Sequence, residues 1–467
     1  MDNNGKAVKS GIWYTVSNFL VKGLGLITTP LFSRLLTKAE YGMYNNYSSW
    51  LSIMAILVTM YLESSLISAR FDFEQKLDEY IFSVLALSAS LTLFWIVIIN
   101  SFITFFSSFM NLDPVFLNIM MVYLLFLPGI NFYIMKERYC FEYKKTIAVS
   151  LIVAIGGAFL SVILVLFLEN KLWGRVIGSV IPTCLLGLFF FFCFFVKGKR
   201  IVFKYWKYAL VICLPYIPHL LSMTVLNSTD RIMINSLCGA EDAALYSLAY
   251  TCGAMISILV TSINGAFSPW LGEKLHEEQY FEIKKVSKYY VLGFFFVAIG
   301  IMLVSPEILL ILGGKAYWEA LNVMPPVAMG CFFQLLYTMF VNIEQYSKKT
   351  GGMAVASVIA ALLNFGLNLL FIPRFGFLAA AYTTLVGYLS LLLMHMYLVH
   401  RINYSNVYNY KFFLFVVLVG IVMMILISML YAYTFVRYVV ISIYIISACL
   451  IVFRYRRSMI LVFKKPK

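Results

Sequence analysis

A lysine inside an apolar segment is the first residue of this sequence whose placement suggests chemistry. Residues 11–36 are long and apolar enough to cross a bilayer, yet Lys22 lies near their middle. A charge at the centre of a membrane helix costs roughly 2.5 to 3.5 kcal/mol, so it usually faces water or a partner. Four polar residues fall within about 40° of it on a helix: Thr15, Asn18, Thr29 and Ser33. We therefore predict that this span lines a cavity and that Lys22, Asn18 and Thr15 bind a ligand there.

A purely structural role for Lys22 is the alternative. Its long side chain could extend to the membrane surface, or it could pair with a carboxylate such as Glu63 and only fix helix packing. Other polar residues inside predicted spans are expected mainly to join helices by hydrogen bonds. Among them, Asn45 in the second span is a further candidate for the cavity.

A second departure from a plain apolar helix occurs at residues 209–235. Two prolines are expected to kink this predicted seventh span: Pro215 and Pro218. His219 follows at mid-depth, and Asp230 and Arg231 lie near the far end. We predict that His219 or Asp230 belongs to a coupling or gating site and that Arg231 is a second cationic contact. A structural pair formed by Asp230 and Arg231 is the alternative.

Composition excludes a soluble enzyme. Of the 467 residues, 62% are hydrophobic and only 12% are charged, and the mean hydropathy is +0.89. The eight cysteines and four histidines show no metal-ligand spacing, so we expect no metal and no cofactor. No phosphate-binding loop or nucleophile motif is present, which argues against an enzyme. The sequence indicates a polytopic membrane protein.

Fourteen membrane spans are predicted between residues 11 and 453. Most of the 36 lysines and arginines then fall on the side that carries both termini. The positive-inside rule therefore places both termini in the cytoplasm, and it explains the net charge of +15 without a nucleic-acid partner. Inside spans, Glu63 and Glu344 join Asp230 as candidates for ion coupling or gating.

The chain shows signs of an internal repeat. Ala39 and Glu40 after the first span match Ala240 and Glu241 after the seventh, and two further loop matches occur at nearly the same offset of about 200 residues. This predicts two six-helix lobes in a parallel pseudo-twofold arrangement, with two extra helices at the C-terminus. The predicted domains are residues 1–200, 201–402 and 403–467.

Three charged connections have predicted roles. Residues 197–208 are expected to link the two lobes. Residues 63–79 and 272–288 mix charged and apolar residues at helical spacing, and each is predicted to form an amphipathic helix on the cytoplasmic surface.

The run PLFSRLLTKAEYGMYNNY at residues 30–47 resembles the opening signature of the bacterial polysaccharide biosynthesis flippases, the Wzx-type O-antigen and capsule repeat-unit transporters. The segment NSTDRIMI, which contains Asp230 and Arg231, is similar to the opening of the second lobe in that family. The family belongs to the multidrug and toxic compound extrusion (MATE) fold superfamily. The resemblance implies a V-shaped central cavity between two lobes. It also implies movement of an undecaprenyl-pyrophosphate-linked oligosaccharide across the bacterial inner membrane.

Such a substrate has an anionic diphosphate head group, which fits a cationic cavity. Lys22, with Arg34 or Arg231, would contact the diphosphate, and Asn18 and Asn45 would bond to sugar. Alternating access between the lobes would move the substrate, and a monomer encloses the whole path. Membrane lipid and a polysaccharide polymerase or assembly protein are the expected partners.

Two other transported substrates remain open from the sequence. A peptidoglycan lipid II flippase would also have fourteen spans and a cationic cavity. A MATE-type drug or cation antiporter would be expected to place acidic residues in the cavity of the first lobe, where this sequence has a lysine.

Overall fold

The computed structural model describes residues 3–140, 142–349 and 351–463, and these form helices joined by short connections. Side chains are described at positions 13, 16, 17 and 19–450, except for 141, 252, 254, 266 and 350. The first half contains α1 (Asn3–Leu35), α2 (Lys38–Thr59), α3 (Leu66–Asp72), α4 (Leu77–Ser101), α5 (Ile103–Met110), α6 (Pro114–Tyr139), α7 (Tyr143–Phe167) and α8 (Lys171–Gly198).

The second half begins with a helix that is broken in two. Its helices are α9 (Phe203–Cys213), α10 (Ile217–Leu237), α11 (Ala240–His276), α12 (Tyr280–Leu303), α13 (Ser305–Gly313), α14 (Met324–Tyr346), α15 (Gly351–Phe375), α16 (Phe377–Arg401), α17 (Tyr410–Leu430) and α18 (Thr434–Phe463). Short 3-10 helices occupy Leu62–Ser65, Glu74–Lys76, Leu214–Tyr216 and Lys315–Val323.

Side-chain caps fix the starts of the two first-half helices α2 and α8. Thr37 and Glu40 form a capping box at α2, in which Thr37 Oγ1 accepts from the Glu40 amide at 3.2 Å and Glu40 Oε2 accepts from the Thr37 amide at 2.8 Å. Asn170 caps α8 by accepting from the Trp173 amide at 3.2 Å. These caps place the first turns of α2 and α8, which contribute to the cavity described below.

Eleven helices among the described residues are long and apolar enough to cross a membrane. The number is twelve if Lys38–Thr59 and Leu62–Asp72, which meet at a bend of 52°, form one span. The helix at Thr434–Leu450 is apolar but shorter, and α1 is the remaining predicted span. The prediction of an all-helical polytopic membrane protein is confirmed. The count of fourteen spans and the two-lobe arrangement are not confirmed and stay predictions.

The bend after α2 occurs at two residues in the left-handed region. Met60 has a φ of 53° and Tyr61 a φ of 50°, a conformation that costs a residue with a side chain roughly 1–2 kcal/mol. The following segment turns inward, where Leu62, Glu63 and Leu66 are buried. The single amphipathic helix predicted at 63–79 is divided into the short helices Leu62–Ser65, Leu66–Asp72 and Glu74–Lys76, and its placement on the cytoplasmic surface stays a prediction.

The second surface helix, predicted at residues 272–288, is not a separate element. The structure continues α11 through residue 276 and begins α12 at Tyr280, so residues 272–288 belong to two long helices. Leu271 and Leu275 are buried and keep the end of α11 packed against the protein. Charged residues at helical spacing mark the exposed face of a long helix here, and not a separate element.

The predicted seventh span is interrupted at its two prolines, and a kink there stays a prediction. Proline removes a backbone donor and ends α9, so Leu214–Tyr216 is a 3-10 turn, and α10 starts beside Pro218. The helix α9 packs on the first half, where Trp206 Nε1 donates to the Ser83 carbonyl oxygen at 2.7 Å. The connection between α8 and α9 is only residues 199–202. The longer linker predicted at 197–208 is therefore wrong, because packing on α4 keeps the basic segment helical.

The largest hydrophobic core surrounds α14 in the second half. This helix is part of the candidate span Lys315–Tyr346, and 83% of the most apolar 18-residue stretch of that span is buried. The first half has two smaller cores, one around α4 and α9 and one around α2 and α6. The second half is therefore the more deeply packed part of the molecule.

Candidate binding cavity

A cavity of about 450 Å³ lies where α1, α2 and α8 meet α10 and α11. Its aromatic lining residues are Phe32, Tyr41, Tyr44 and Tyr250. Hydroxyl and amide groups come from Thr28, Thr29, Asn45, Ser48, Thr251 and Ser257. Its cationic lining residues are Lys22, Arg175 and Arg231. The cavity therefore combines positive charge, hydrogen-bonding groups and ring faces.

Arg175 is held more rigidly than a surface arginine. Its guanidinium carbon lies 3.9 Å from the centroid of the Phe32 ring and 4.2 Å from that of Tyr44, and Nη1 donates to Ser161 Oγ at 3.0 Å. Stacking on two rings leaves the edge of the guanidinium for hydrogen bonds. An arginine fixed in this way is suited to bind an oxyanion through its N–H groups.

Arg231 and Lys22 complete the cationic lining. The guanidinium of Arg231 lies 4.6 Å from the Tyr250 ring centroid, and its Nη1 donates to the Asn227 carbonyl oxygen at 3.2 Å. Lys22 is exposed, which is the orientation expected of a cavity-lining lysine. None of the described residues that line the cavity is acidic. The arrangement therefore favours an anionic ligand.

The two halves meet closely at the end of the molecule where α1 stops and α2 starts. A Cβ atom at Gly42 would lie 1.7 Å from the Ala240 carbonyl oxygen, so only glycine allows this approach. Arg34 Nη2 donates to the Ile311 carbonyl oxygen at 3.0 Å, and Ser33 Oγ donates to the Leu312 carbonyl oxygen. Arg34 therefore contacts α13 and is not among the residues lining the cavity.

Asp230 is buried behind the cavity in a dense hydrogen-bond network. Tyr246 donates to Asp230 Oδ2 at 2.6 Å, Asn368 Nδ2 donates to Oδ1 at 2.7 Å, and Thr384 also donates to Oδ2. Arg231 points instead into the cavity, because successive side chains on a helix differ in direction by about 100°. The alternative of a structural Asp230–Arg231 pair is thus not what the structure forms.

The two other acidic candidates are buried away from the cavity lining. Glu63 is 3% exposed and accepts from Asn131 Nδ2 at 2.8 Å. Glu344 is 1% exposed and its Oε1 lies 2.7 Å from His395 Nδ1. The alternative that Lys22 pairs with Glu63 is wrong, because Glu63 is bound to Asn131 while Lys22 lines the cavity.

The remaining predicted site residues are placed as follows. Asn45 lines the cavity and donates to the Tyr41 carbonyl oxygen at 2.7 Å. His219 lies near the start of α10, beside Tyr216, and is not among the lining residues. The side chains of Thr15 and Asn18 lie outside the described residues. Ligand binding by any of these residues stays a prediction.

Arg175 was missed by sequence reasoning. It lies in the first turns of α8, so from sequence it is counted as a charge in a short loop between two spans. The sequence signal was weak, because a charge near a helix end costs less to insert than one near the middle, such as Lys22. Its stacking partners come from α1 and α2, far away in sequence, and no pattern predicts them.

Comparison with known proteins identifies the family. The family model described as polysaccharide biosynthesis protein matches residues 7–275, and the MatE family model matches residues 215–370. The chain is 24% identical to Lsg locus putative protein 1 of Haemophilus influenzae over 381 residues, which cover 77% of this chain and 89% of that protein. It is 21% identical to an uncharacterised membrane protein of Methanocaldococcus jannaschii, covering 89% of this chain and 88% of the relative.

Solved structures share the fold at low sequence identity. The lipid II flippase MurJ, in an inward closed conformation, superimposes with a TM-score of 0.69 at 15% identity, covering 96% of this chain and all of MurJ. An outward-facing multidrug resistance MATE transporter of the MOP superfamily gives a TM-score of 0.55 at 15% identity, covering 86% of this chain and 96% of the transporter. The chain therefore belongs to the polysaccharide biosynthesis protein family and has the fold of the MOP superfamily, which confirms the resemblance seen at residues 30–47.

Proposed function

We propose that this protein is a flippase that moves undecaprenyl-pyrophosphate-linked oligosaccharide from the inner to the outer leaflet of the bacterial inner membrane. The observation that carries the proposal is the cavity between the two halves, whose described lining has three cations and no acid. Family membership supports the link to polysaccharide biosynthesis.

The diphosphate is the part of the substrate that this cavity would recognise best. Arg175 presents the edge of a guanidinium fixed between two rings, and Arg231 and Lys22 add positive charge nearby. Charge-assisted hydrogen bonds from arginine are roughly twice as strong as neutral ones, and they strengthen away from bulk water. Tyr44, Tyr250 and Asn45 would contact the first sugars.

Alternating access requires the contact between the halves to open. With both termini in the cytoplasm, as the positive-inside rule predicts, the end at which Gly42 approaches Ala240 is the outer one. Release to the outer leaflet would then separate Arg34 from Ile311 and Ser33 from Leu312. A monomer contains every residue in this path, and a polysaccharide polymerase would take the product.

The membrane potential could drive this export. Outward movement of negative charge across an inside-negative membrane yields about 2.3 kcal/mol per charge for each 100 mV. Asp230, Glu63 and Glu344 are the proposed sites for any coupled ion, because they are the buried acids inside the helices.

Two other substrates are supported by single observations. The similarity in fold to MurJ supports a lipid II flippase as the second candidate. The MatE match at 215–370 supports a drug or cation antiporter, but a lining of three cations without an acid disfavours a cationic substrate.

Deletion of the gene from its host tests the proposal. We expect lipid-linked oligosaccharide to accumulate, as measured by mass spectrometry, and surface polysaccharide to disappear. Restoration by the wild-type gene, and failure of Arg175→Ala to restore, would connect this phenotype to the cavity. Lethality with accumulated lipid II would instead support the MurJ-like function, and increased sensitivity to cationic drugs with unchanged polysaccharide would support the antiporter.

A further inference from the structure

A buried titratable pair lies in the second half, outside the cavity. Glu344 near the end of α14 and His395 on α16 are 1% and 2% exposed, with 2.7 Å between Oε1 and Nδ1. The second carboxyl oxygen of Glu344 is also buried and has no hydrogen-bond partner among the described residues. An unpaired buried oxygen on a carboxylate is unfavourable, and adding a proton to the pair removes its charge without any change in packing.

A column of three stacked rings connects this pair to the cavity wall. The His395 ring stacks on Tyr337 with centroids 5.8 Å apart, and Tyr337 stacks on Tyr388 with centroids 6.2 Å apart. The Tyr388 hydroxyl donates to Asn227 Oδ1 at 2.7 Å, and the Asn227 carbonyl oxygen accepts from Arg231 Nη1 at 3.2 Å. The ring column of His395, Tyr337 and Tyr388 therefore ends at the residue that holds a cavity cation.

Tyr250 gives the column a second contact with the cavity. Its ring lies 4.6 Å from the Arg231 guanidinium, and its hydroxyl group interacts with that of Tyr388. Movement of Tyr388 would thus affect both the arginine and the ring on which it stacks. Packed aromatic groups of this kind can transmit a change between two sites if they have alternative arrangements.

A second histidine lies near the start of α10. His219 is partly exposed near the break between α9 and α10, and its Nδ1 is buried without a hydrogen-bond partner among the described residues. Positive charges on His219 and His395 would repel each other, so His219 is a titratable neighbour of the pair.

Two phenols contact α14 and α16, the helices that carry the pair. Tyr408 donates to the Met339 carbonyl oxygen at 3.3 Å, and Tyr410 donates to the Met396 carbonyl oxygen at 3.1 Å. Within the described part of the chain, no Asp, Lys, Arg or second Glu side chain forms a hydrogen bond or ion pair with Glu344 or His395. The protonation of the pair therefore depends on its own two groups and on the charge of His219.

We propose that Glu344 and His395 form a proton-binding site that is coupled to anion binding in the cavity through the ring column. The pair takes up one proton from water: with a single proton between Nδ1 and Oε1 it carries one negative charge, and the second proton makes it neutral. An anion beside Arg231 repels the negatively charged pair and so favours the neutral pair, which has the second proton. The coupling is reciprocal, so protonation increases anion affinity by the same factor. The coupling part of the inference rests on the proposed function, whereas the proton site itself does not.

Nuclear magnetic resonance of isotope-labelled histidine in the purified protein in lipid nanodiscs tests both parts. The chain has four histidines, so single His→Gln variants assign each signal. We expect the His395 signal to titrate in the wild type, and its midpoint to move by at least about one pH unit in Glu344→Gln. Inorganic pyrophosphate is expected to raise the wild-type midpoint by about half a pH unit, a threefold change in proton affinity.

Matched variants distinguish loss of the proton-binding site from loss of its coupling to the cavity. Tyr388→Phe keeps the stacking but removes the bond to Asn227, so it should retain the titration and reduce the pyrophosphate effect to the part that comes from direct repulsion between the anion and the pair. His276, exposed at the end of α11, is outside the column, and His276→Gln should change nothing.

Three results would decide the outcome. A His395 midpoint that does not respond to Glu344→Gln would overturn the proton site. Binding of pyrophosphate without any shift of the midpoint would overturn the coupling. If pyrophosphate does not bind to the wild-type protein, the proposed function and the coupling are both overturned, while the titration still decides the proton site on its own.

Discussion

The two halves of this protein form similar polar bridges from different chemistry. In the first half, the segment after α2 is joined to α6 by Glu63 and Asn131, at 2.8 Å. In the second half, α11 is joined to α14 by Asn264 and Asn342, also at 2.8 Å. A carboxylate in one bridge and an amide in the other perform the same joining role, so bridging alone does not require a charge.

Most of the cavity cations lie in one half, and most of the buried acidic networks lie in the other. The first half supplies Lys22 and Arg175, two of the three cavity cations. The second half contains the buried networks of Asp230 and of Glu344 with His395. We infer that the first half mainly binds the anion and that the second half mainly carries the groups that could couple an ion to transport.

The largest expected effect is loss of the Asp230 network. Asp230→Ala leaves three buried donors without an acceptor, at roughly 1–3 kcal/mol each, so we expect the variant to unfold at a much lower temperature or to fail to accumulate. Thermal unfolding in detergent, followed by size-exclusion chromatography, measures this. Asp242→Ala, a partly exposed acid at the start of α11, is the control and should change stability by less than about 1 kcal/mol. Equal losses of stability in the two variants would show that the buried network stabilises the protein no more than a partly exposed acid does.

The next effect concerns the cations of the first half. We expect Arg175→Ala to weaken pyrophosphate binding at least about tenfold, or 1.4 kcal/mol, as measured by isothermal titration calorimetry. Arg175→Lys should be intermediate, because lysine keeps the charge but loses the planar guanidinium. Arg34→Ala should weaken binding much less than Arg175→Ala, since Arg34 contacts the Ile311 carbonyl oxygen outside the lining. Weaker binding in Arg34→Ala than in Arg175→Ala would contradict the assignment of the cavity.

A smaller effect tests the comparison of the bridges directly. Glu63→Gln converts the first bridge to an amide pair like that of the second and keeps an oxygen to accept from Asn131. We expect the free energy of unfolding to stay within about 1 kcal/mol of the wild type or to rise, because a buried ionisable group is removed. If thermal stability is kept but transport is lost, Glu63 has a role in coupling that Asn264 lacks.

The smallest effect is a pH dependence at the junction of α13 and α18. Hydrogen bonds from Arg437 lower the pKa of Glu307 below its usual value of 4.5. A lowered pKa means that the pair stabilises the protein above about pH 4.5, and that this contribution is lost as pH falls through the folded-state pKa. Since Glu307 is about one-third exposed, the contribution should be under about 1 kcal/mol. Unfolding temperatures measured from pH 6 to 3.5 should fall less steeply in Glu307→Gln than in the wild type.

Sequence reasoning located most helices and two of the three cationic residues that line the cavity, Lys22 and Arg231, for identifiable physical reasons. Apolar length predicts a membrane helix directly, and the insertion cost of a charge makes Lys22 conspicuous. Arg175 was missed because its meaning depends on Phe32 and Tyr44, which are distant in sequence. A structural pair of Asp230 with its neighbour Arg231 was one of two alternatives, but three partners from α11, α15 and α16 surround Asp230 instead. The surroundings of Arg175 and Asp230 are therefore determined by contacts between residues that are distant in sequence, and local sequence patterns do not predict them.

The packing of α9 on the first half has a consequence for dividing the chain. The loop at residues 199–202 looks like the natural place to cut, yet α9 beyond it is attached by the Trp206 bond to Ser83 and by buried Cys213. Two fragments separated at this loop would leave α9 on the fragment that it does not pack against. The turn Leu214–Tyr216 lies inside the candidate membrane span Phe203–Leu237, so two halves expressed separately would have to rebuild the contacts of α9 across a cut at residues 199–202.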